Sequence, residues 1–230
     1  MEEALQHISS LGYSPPIIID VGAAGGTPAL LNIFPDAKYI WIEPLKEFES
    51  HLNKLSKRYN GQVIIAAAGK LSGVSVITIS PDLYGSSLSY DNSNESTLRE
   101  VNTIRLDDLI EEHNLKNNIL LKVDVQGYEL EVLEGAQHVL QVCEVVILEV
   151  SLFKFQRDYP DFSEVVEYMK KRNFVVYDIV DGHNRPLDGA LAQKDVLFVK
   201  ENGRFRQNHQ WGTAEQIEQF NKIYRHNKNN

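Results

Sequence analysis

"IIIDVGAAGGTPALL" spans residues 17 to 31 and changes character midway. Ile17, Ile18, Ile19 and Val21 read as a strand apolar on both faces, as a strand between two helix layers must be. Asp20 sits near its tip. Gly22, Ala23, Ala24, Gly25 and Gly26 then leave the main chain almost bare, so that something can approach it closely. Thr27 reads as a helix N-cap and Pro28 as the first helical residue, which would turn helix amides toward a carboxylate or phosphate. A strand, a bare turn and a helix make the crevice in which open parallel sheets hold their ligands.

The same alternation continues along the chain. Further strand-length apolar runs lie at 39–43, 63–67, 119–125, 145–150, 174–180 and 196–200, with helical stripes at 46–59, 128–140 and 162–172 between them. The pattern predicts an α/β fold, doubly wound around a mostly parallel seven-stranded sheet. Between 180 and 196 the chain reads "DGHNRPLDGALAQK", poor material for a crossover helix, so the last strand is expected antiparallel to its neighbour. Residues 68–103 read as an inserted hairpin with a Ser, Asn and Tyr-rich flap at 84–96. One domain is expected over 1–200, including a short helix at 1–13, followed by a basic helical extension at 201–230. Ile217, Phe220 and Ile223 of that extension are expected to pack on the core, the alternative being a modest basic patch that includes Trp211.

A net charge of −9 and a pI near 5.3 argue against a nucleic-acid partner, whose binding is driven by lysine and arginine. No run approaches a membrane span, and the acidic start "MEEALQHISS" is unlike a secretory signal, so a cytoplasmic protein is expected. The single cysteine, Cys143, lies in an apolar run and reads as a small buried hydrophobe.

The ligand follows from what the turn lacks. A dinucleotide fingerprint beginning at Gly22 would need glycine at 24 and 27, where the chain has Ala24 and Thr27. Asp20 instead offers a carboxylate to a cationic group. Glu43, at the end of the second strand and backed by Pro44, stands where an acid accepts hydrogen bonds from both hydroxyls of a ribose. A nucleoside carrying a zwitterionic tail, S-adenosylmethionine, meets these features together.

"IIIDVGAAGG", "WIEPLKEFESHL", "TIRLDDL", "LLKVDVQGYELEVLEGA" and "KDVLFVK" resemble, in order and spacing, the FkbM-type methyltransferases over about residues 17–200. The resemblance implies a class I methyltransferase, Rossmann-like in fold, with strand order 3-2-1-4-5-7-6 and the seventh strand antiparallel. It implies an O-methyltransferase acting on hydroxyls of sugars or secondary metabolites. Asp20, Gly22, Ala23, Ala24 and Gly26 would cradle the methionine part, Glu43 the ribose, and Ala67 and Ala68 the adenine. Asp124 would face the reacting methyl. Two positions depart from the family pattern: Ala24 replaces the usual asparagine and Gln126 the commoner glutamate.

An alkyl hydroxyl is a poor nucleophile until its proton leaves, so a base is sought among the acids at strand ends. Asp124 is the first candidate and Glu149 the second, with Asp195 beside them. Glu129 is expected to stabilise the start of a helix. Ser87 in the flap and His183 in the last hairpin are candidates for acceptor binding. No metal is predicted, since no ligand spacing stands out, although three acids of this kind could hold a divalent ion. The sequence is compatible with a homodimer. Two rival readings stay open: a sugar oxidoreductase or epimerase using a nicotinamide dinucleotide, and a non-catalytic cofactor-binding module of the same fold.

Overall fold

The computed structural model describes residues 1–88, 97–113, 115–116, 118–156 and 159–228. Its first half runs α1 (Glu2–Ser10), β1 (Ile17–Val21), α2 (Pro28–Ile33), β2 (Lys38–Ile42), α3 (Lys46–Arg58), β3 (Gly61–Ile64), β4 (Ala67–Ala68), β5 (Gly73–Ile79) and β6 (Thr97–Ile104). The second half runs α4 (Leu109–Glu112), β7 (Ile119–Val123), α5 (Glu129–Glu134), α6 (Gln137–Val142), β8 (Cys143–Ser151), α7 (Phe162–Lys170), β9 (Phe174–Asn184), β10 (Leu191–Lys200) and α8 (Ala214–Lys228).

Seven strands form the main sheet in the order β3-β2-β1-β7-β8-β10-β9. The pairs β1–β2, β2–β3, β1–β7 and β7–β8 are parallel, while β10 is antiparallel to both β8 and β9. The expected α/β architecture and the reversed last strand are therefore both present. Consecutive side chains alternate between the two faces, as strand geometry requires. Ile19, Leu121, Val146 and Phe198 enter one core, and Ile18, Leu120, Ile147 and Leu197 the other. The winding reverses between β1 and β7, so their carboxyl ends define the crevice.

The predicted hairpin is β5–β6, which joins β4 in a small second sheet. Of the flap, residues 89–96 lie outside the described residues; the segment before it is tied down by an antiparallel bridge between Thr78 and Ser87. The helix expected over 128–140 is two helices, α5 and α6. Gly135 breaks it, packed so closely that a Cβ there would lie 2.1 Å from the Gly69 carbonyl oxygen. Asp107, 31 and 32 residues upstream, then caps α6 by accepting from the amides of His138 and Val139 at 2.8 and 2.9 Å.

The C-terminal helix forms but does not pack as expected. Phe220 and Ile223 are 52% and 63% exposed, and Trp211, which meets Phe220 edge-on, is 78% exposed. The adjoining core face is closed by residues just before the helix. Phe205 packs edge-on against Tyr13, and the Arg204 guanidinium donates to the carbonyls of Leu11 and Gly12. Cys143 is fully buried in the sheet, as its surroundings predicted. No described helix is long and apolar enough to cross a membrane.

Candidate active site

The bare turn is bare first for the sake of the fold. Gly22 has φ +68°, and a Cβ on it would lie 1.8 Å from the Asp124 carbonyl oxygen at the tip of β7. Gly26 has φ +84°, and a Cβ there would lie 2.7 Å from Leu55 of α3. The close approach read from the sequence is thus made largely by the protein itself. Ala24, at φ +45°, sits in the left-handed region that asparagine tolerates better than alanine.

The amides of the turn are nearly all engaged. Gly22 and Ala23 donate to the Ile42 carbonyl at 2.9 and 3.3 Å, and Gly26 donates to Ala23 at 2.6 Å. Ala24 donates to Glu43 Oε2 at 2.8 Å, and Leu45 to Glu43 Oε1 at 2.9 Å. Glu43, buried at the end of β2, thereby clamps the turn to the second strand, and each of its oxygens keeps a further lone pair. Burial raises its pKa while the two amides pull it down. The helix-terminus site expected after Thr27 is not built: α2 has six residues, and the Thr27 hydroxyl makes no cap but donates to Asp20 Oδ1 at 3.3 Å.

Asp20 is fully buried beneath the turn and stands in the wall of neither cavity described below, so it does not cradle a ligand directly. Its Oδ2 is buried without a hydrogen-bond partner. Burial raises its pKa to about 6, against the opposing charge of Lys122. Lys122 faces Asp20 across the β1–β7 register and reaches Asp124 Oδ2 at 3.0 Å. Burial works against its ammonium, but the charges of Asp124 and Asp20 outweigh that and hold its pKa above the ordinary value.

Past β7 the chain makes a left-handed bend at Gln126 and Gly127, with φ +56° and +89°. Glu129, the first residue of α5, steadies it, its buried Oε1 accepting from the amides of Val125 and Gly127 in the loop at 3.2 and 3.0 Å. Burial pushes its pKa to about 7. Glu149, on β8, accepts at Oε2 from Gln126 and Gln193 at 2.7 and 2.8 Å. Burial and the neighbouring charges of Asp124, Glu129 and Asp195 push its pKa to about 9. Asp195, on β10, is raised by burial to about 6.

Two adjoining cavities open over these strand tips. The first is lined by Gly22, Ala24, Glu43, Ala67, Ala68, Ser87 and Asp124, with Phe48, Ile77 and Tyr128 as apolar walls. The second, open to solvent, holds Ala23, Gly26, Lys122, Gln126, Glu149, His183, Gln193 and Asp195. Gly22, Ala24, Tyr84 and Asp124 belong to both. Asp124 therefore stands at their junction. Ser87 falls on the first cavity, not beside His183, and its hydroxyl donates to the carbonyls of Val125 and Gln126 at 3.1 and 2.8 Å. Sequence reasoning missed Gln193 and Lys122. Alternation hides both, because each occupies a position that reads only as strand. Among the described residues no three His, Cys, Asp or Glu side chains converge as a metal site.

The fold and its cleft define an α/β protein of the class that binds nucleosides at a sheet's switch point. The methyltransferase FkbM domain profile matches residues 20–176, and the chain belongs to that family. The hexuronic acid methyltransferase AglP of Haloferax volcanii is 31% identical over 134 residues, a stretch that covers 58% of this chain and 55% of the relative's length. Among solved structures, magnesium protoporphyrin IX methyltransferase from Synechocystis with bound SAM is similar at a TM-score of 0.48 and 8% identity, over 86% of this chain and 79% of that one. An S-adenosylmethionine-dependent methyltransferase from Clostridium acetobutylicum is similar at 0.48 and 11%, over 86% and 89%.

Proposed function

We propose that the protein moves a methyl group from S-adenosylmethionine to a hydroxyl oxygen of a sugar or related small metabolite. The observation that carries this reading is the state of the turn. With the amides of Gly22, Ala23, Ala24 and Gly26 already bonded, a pyrophosphate would find few donors there and would meet Asp124 and Asp195. A nicotinamide dinucleotide is therefore disfavoured, whereas a sulfonium suits the same acidic ground.

The residues present fit the nucleoside. Glu43 keeps lone pairs for two ribose hydroxyls, and Ala67 and Ala68, which share the cavity wall with Phe48 and Tyr128, would line the purine. The turn at 22–26 would flank the amino-acid tail, with the unpartnered Asp20 oxygen supplying negative potential beneath it. When bound, the cofactor supplies an electrophilic methyl on a charged sulfur.

The protein's own task is then to hold an acceptor oxygen in line and to receive its proton; such positioning is worth ~7 to 11 kcal/mol. Asp124, at the junction of the cavities and salt-bridged to Lys122, is the base. Glu149, with its pKa near 9, keeps its proton at neutral pH and serves as a hydrogen-bonding wall. His183, in the wall of the same cavity as Asp124, would contact the acceptor. AglP is named for a hexuronic acid; the acids of the second cavity here favour the hydroxyl of an uncharged acceptor over a carboxylate. The net charge of −9 favours a small acceptor over nucleic acid.

Calorimetry with S-adenosylhomocysteine tests the reading. Binding by the wild type should weaken at least 10-fold in Glu43→Ala, at unchanged secondary structure. Absence of binding by the wild type, or equal binding by the variant, would sink the proposal.

A further inference from the structure

Gln126 has no task in the reaction as described, yet the fold goes to some length to place it. Its left-handed backbone, φ +56°, costs a residue with a Cβ roughly 1 to 2 kcal/mol. Gly127 follows at φ +89°, where a Cβ would lie 2.5 Å from the Tyr159 ring. The Ser87 hydroxyl holds the carbonyls of Val125 and Gln126 from the other side.

This fixed loop delivers the side chain to one spot. Nε2 donates to Asp124 Oδ1 at 3.1 Å and to Glu149 Oε2 at 2.7 Å. Gln193 donates to the same Glu149 oxygen at 2.8 Å, which leaves Oε1 to carry the proton. A side-chain amide has two donor hydrogens and no charge, so it can serve acids on two neighbouring strands at once without itself titrating. A glutamate here would add another carboxylate to the pair; a methionine would fill the space and donate nothing.

We propose that Gln126 is a positioning residue: its amide fixes Asp124 and Glu149 relative to one another, so that Asp124 presents an open lone pair to the acceptor hydroxyl. The proposal rests on the methyltransferase reading. Gln126 stands in the wall of the second cavity and not of the first, so its loss strikes turnover and spares nucleoside binding.

Gln126→Met and Gln126→Ala, which remove the donor without adding a charge, provide the test, compared with the wild type. With an acceptor found by labelled-methyl transfer, kcat should fall about 10- to 100-fold while the Kd for S-adenosylhomocysteine stays within about 3-fold. Carbon-13 NMR of the Glu149 carboxyl, in the ligand-free protein, should show its titration moving upward from about 9, because a donor to the ionised form has gone. The groups facing that carboxyl are Asp124 and Lys122 from β7, Glu129 from α5, Asp195 from β10 and His183 from β9, none of which the substitutions alter. A kcat within 2-fold of wild type, or an unmoved Glu149 titration, overturns the proposal. If the wild type neither binds the nucleoside nor turns over, the methyltransferase reading fails, and the NMR titration still decides whether the amide holds Glu149. Should Gln126→Met fail to fold, Gln126→Ala carries the same comparison.

Discussion

At the scale of single residues, the site is built from acids held in uncharged or strained states. Asp20 is fully buried with one oxygen unpartnered among the described residues and its pKa raised to about 6 from 3.8. A carboxyl whose folded-state pKa is raised binds its proton more tightly in the native state than in the unfolded one. Stability is then greatest below pH 4 and is lost as pH rises through 6. The difference corresponds to about 3 kcal/mol. Urea unfolding of ligand-free Asp20→Asn should therefore gain on the wild type between pH 4 and pH 6.5, most of that amount appearing across the window. A constant gap would mean that Asp20 is not the strained group. Such strain is expected where a cation is to be bound, because ligand binding relieves it.

Among the elements, the β5–β6 hairpin does more than cover one flank of the cleft. Ser87 is bridged to Thr78 of β5 through reciprocal amides at 2.9 and 3.1 Å, and its hydroxyl grips the loop after β7. The small sheet is thus coupled to the strand tip that carries Asp124. Ser87→Ala should cost ~1 kcal/mol in thermal unfolding, the worth of one such bond. S-adenosylhomocysteine affinity, read by calorimetry, should fall about 5- to 10-fold because Ser87 lies in the wall of the first cavity. A loss of stability alone, with affinity intact, would confine Ser87 to scaffolding.

For the whole molecule, the two cores and seven strands are complete by Lys200, and the turn around Phe205 seals the last face. The helix beyond it leaves Trp211 and Ile223 largely in solvent. A chain ending at Gly212 should keep the same fold and melt within about 4 °C of the parent, as a contribution near 1 kcal/mol implies for a domain of this size. A larger drop, or aggregation of the shortened chain, would show that α8 covers part of the domain after all.

The sequence by itself determined the alternation of strands and helices, the antiparallel last strand and the strand-end placement of Glu43 and Asp124, because each leaves a local mark. Periodicity records burial on two faces, a Gly and Pro-rich connection rules out a crossover helix, and an acid at a strand tip has one place to go. Tertiary structure alone decided why Gly22 and Gly26 are glycine, since the atoms that crowd them, the Asp124 carbonyl and Leu55, come from distant segments. It alone divided the helix at Gly135, through Gly69 and the remote cap from Asp107. It alone gathered other acids round Glu149, whose pKa burial and the charges of Asp124, Glu129 and Asp195 push to about 9, while Asp124 pairs with Lys122.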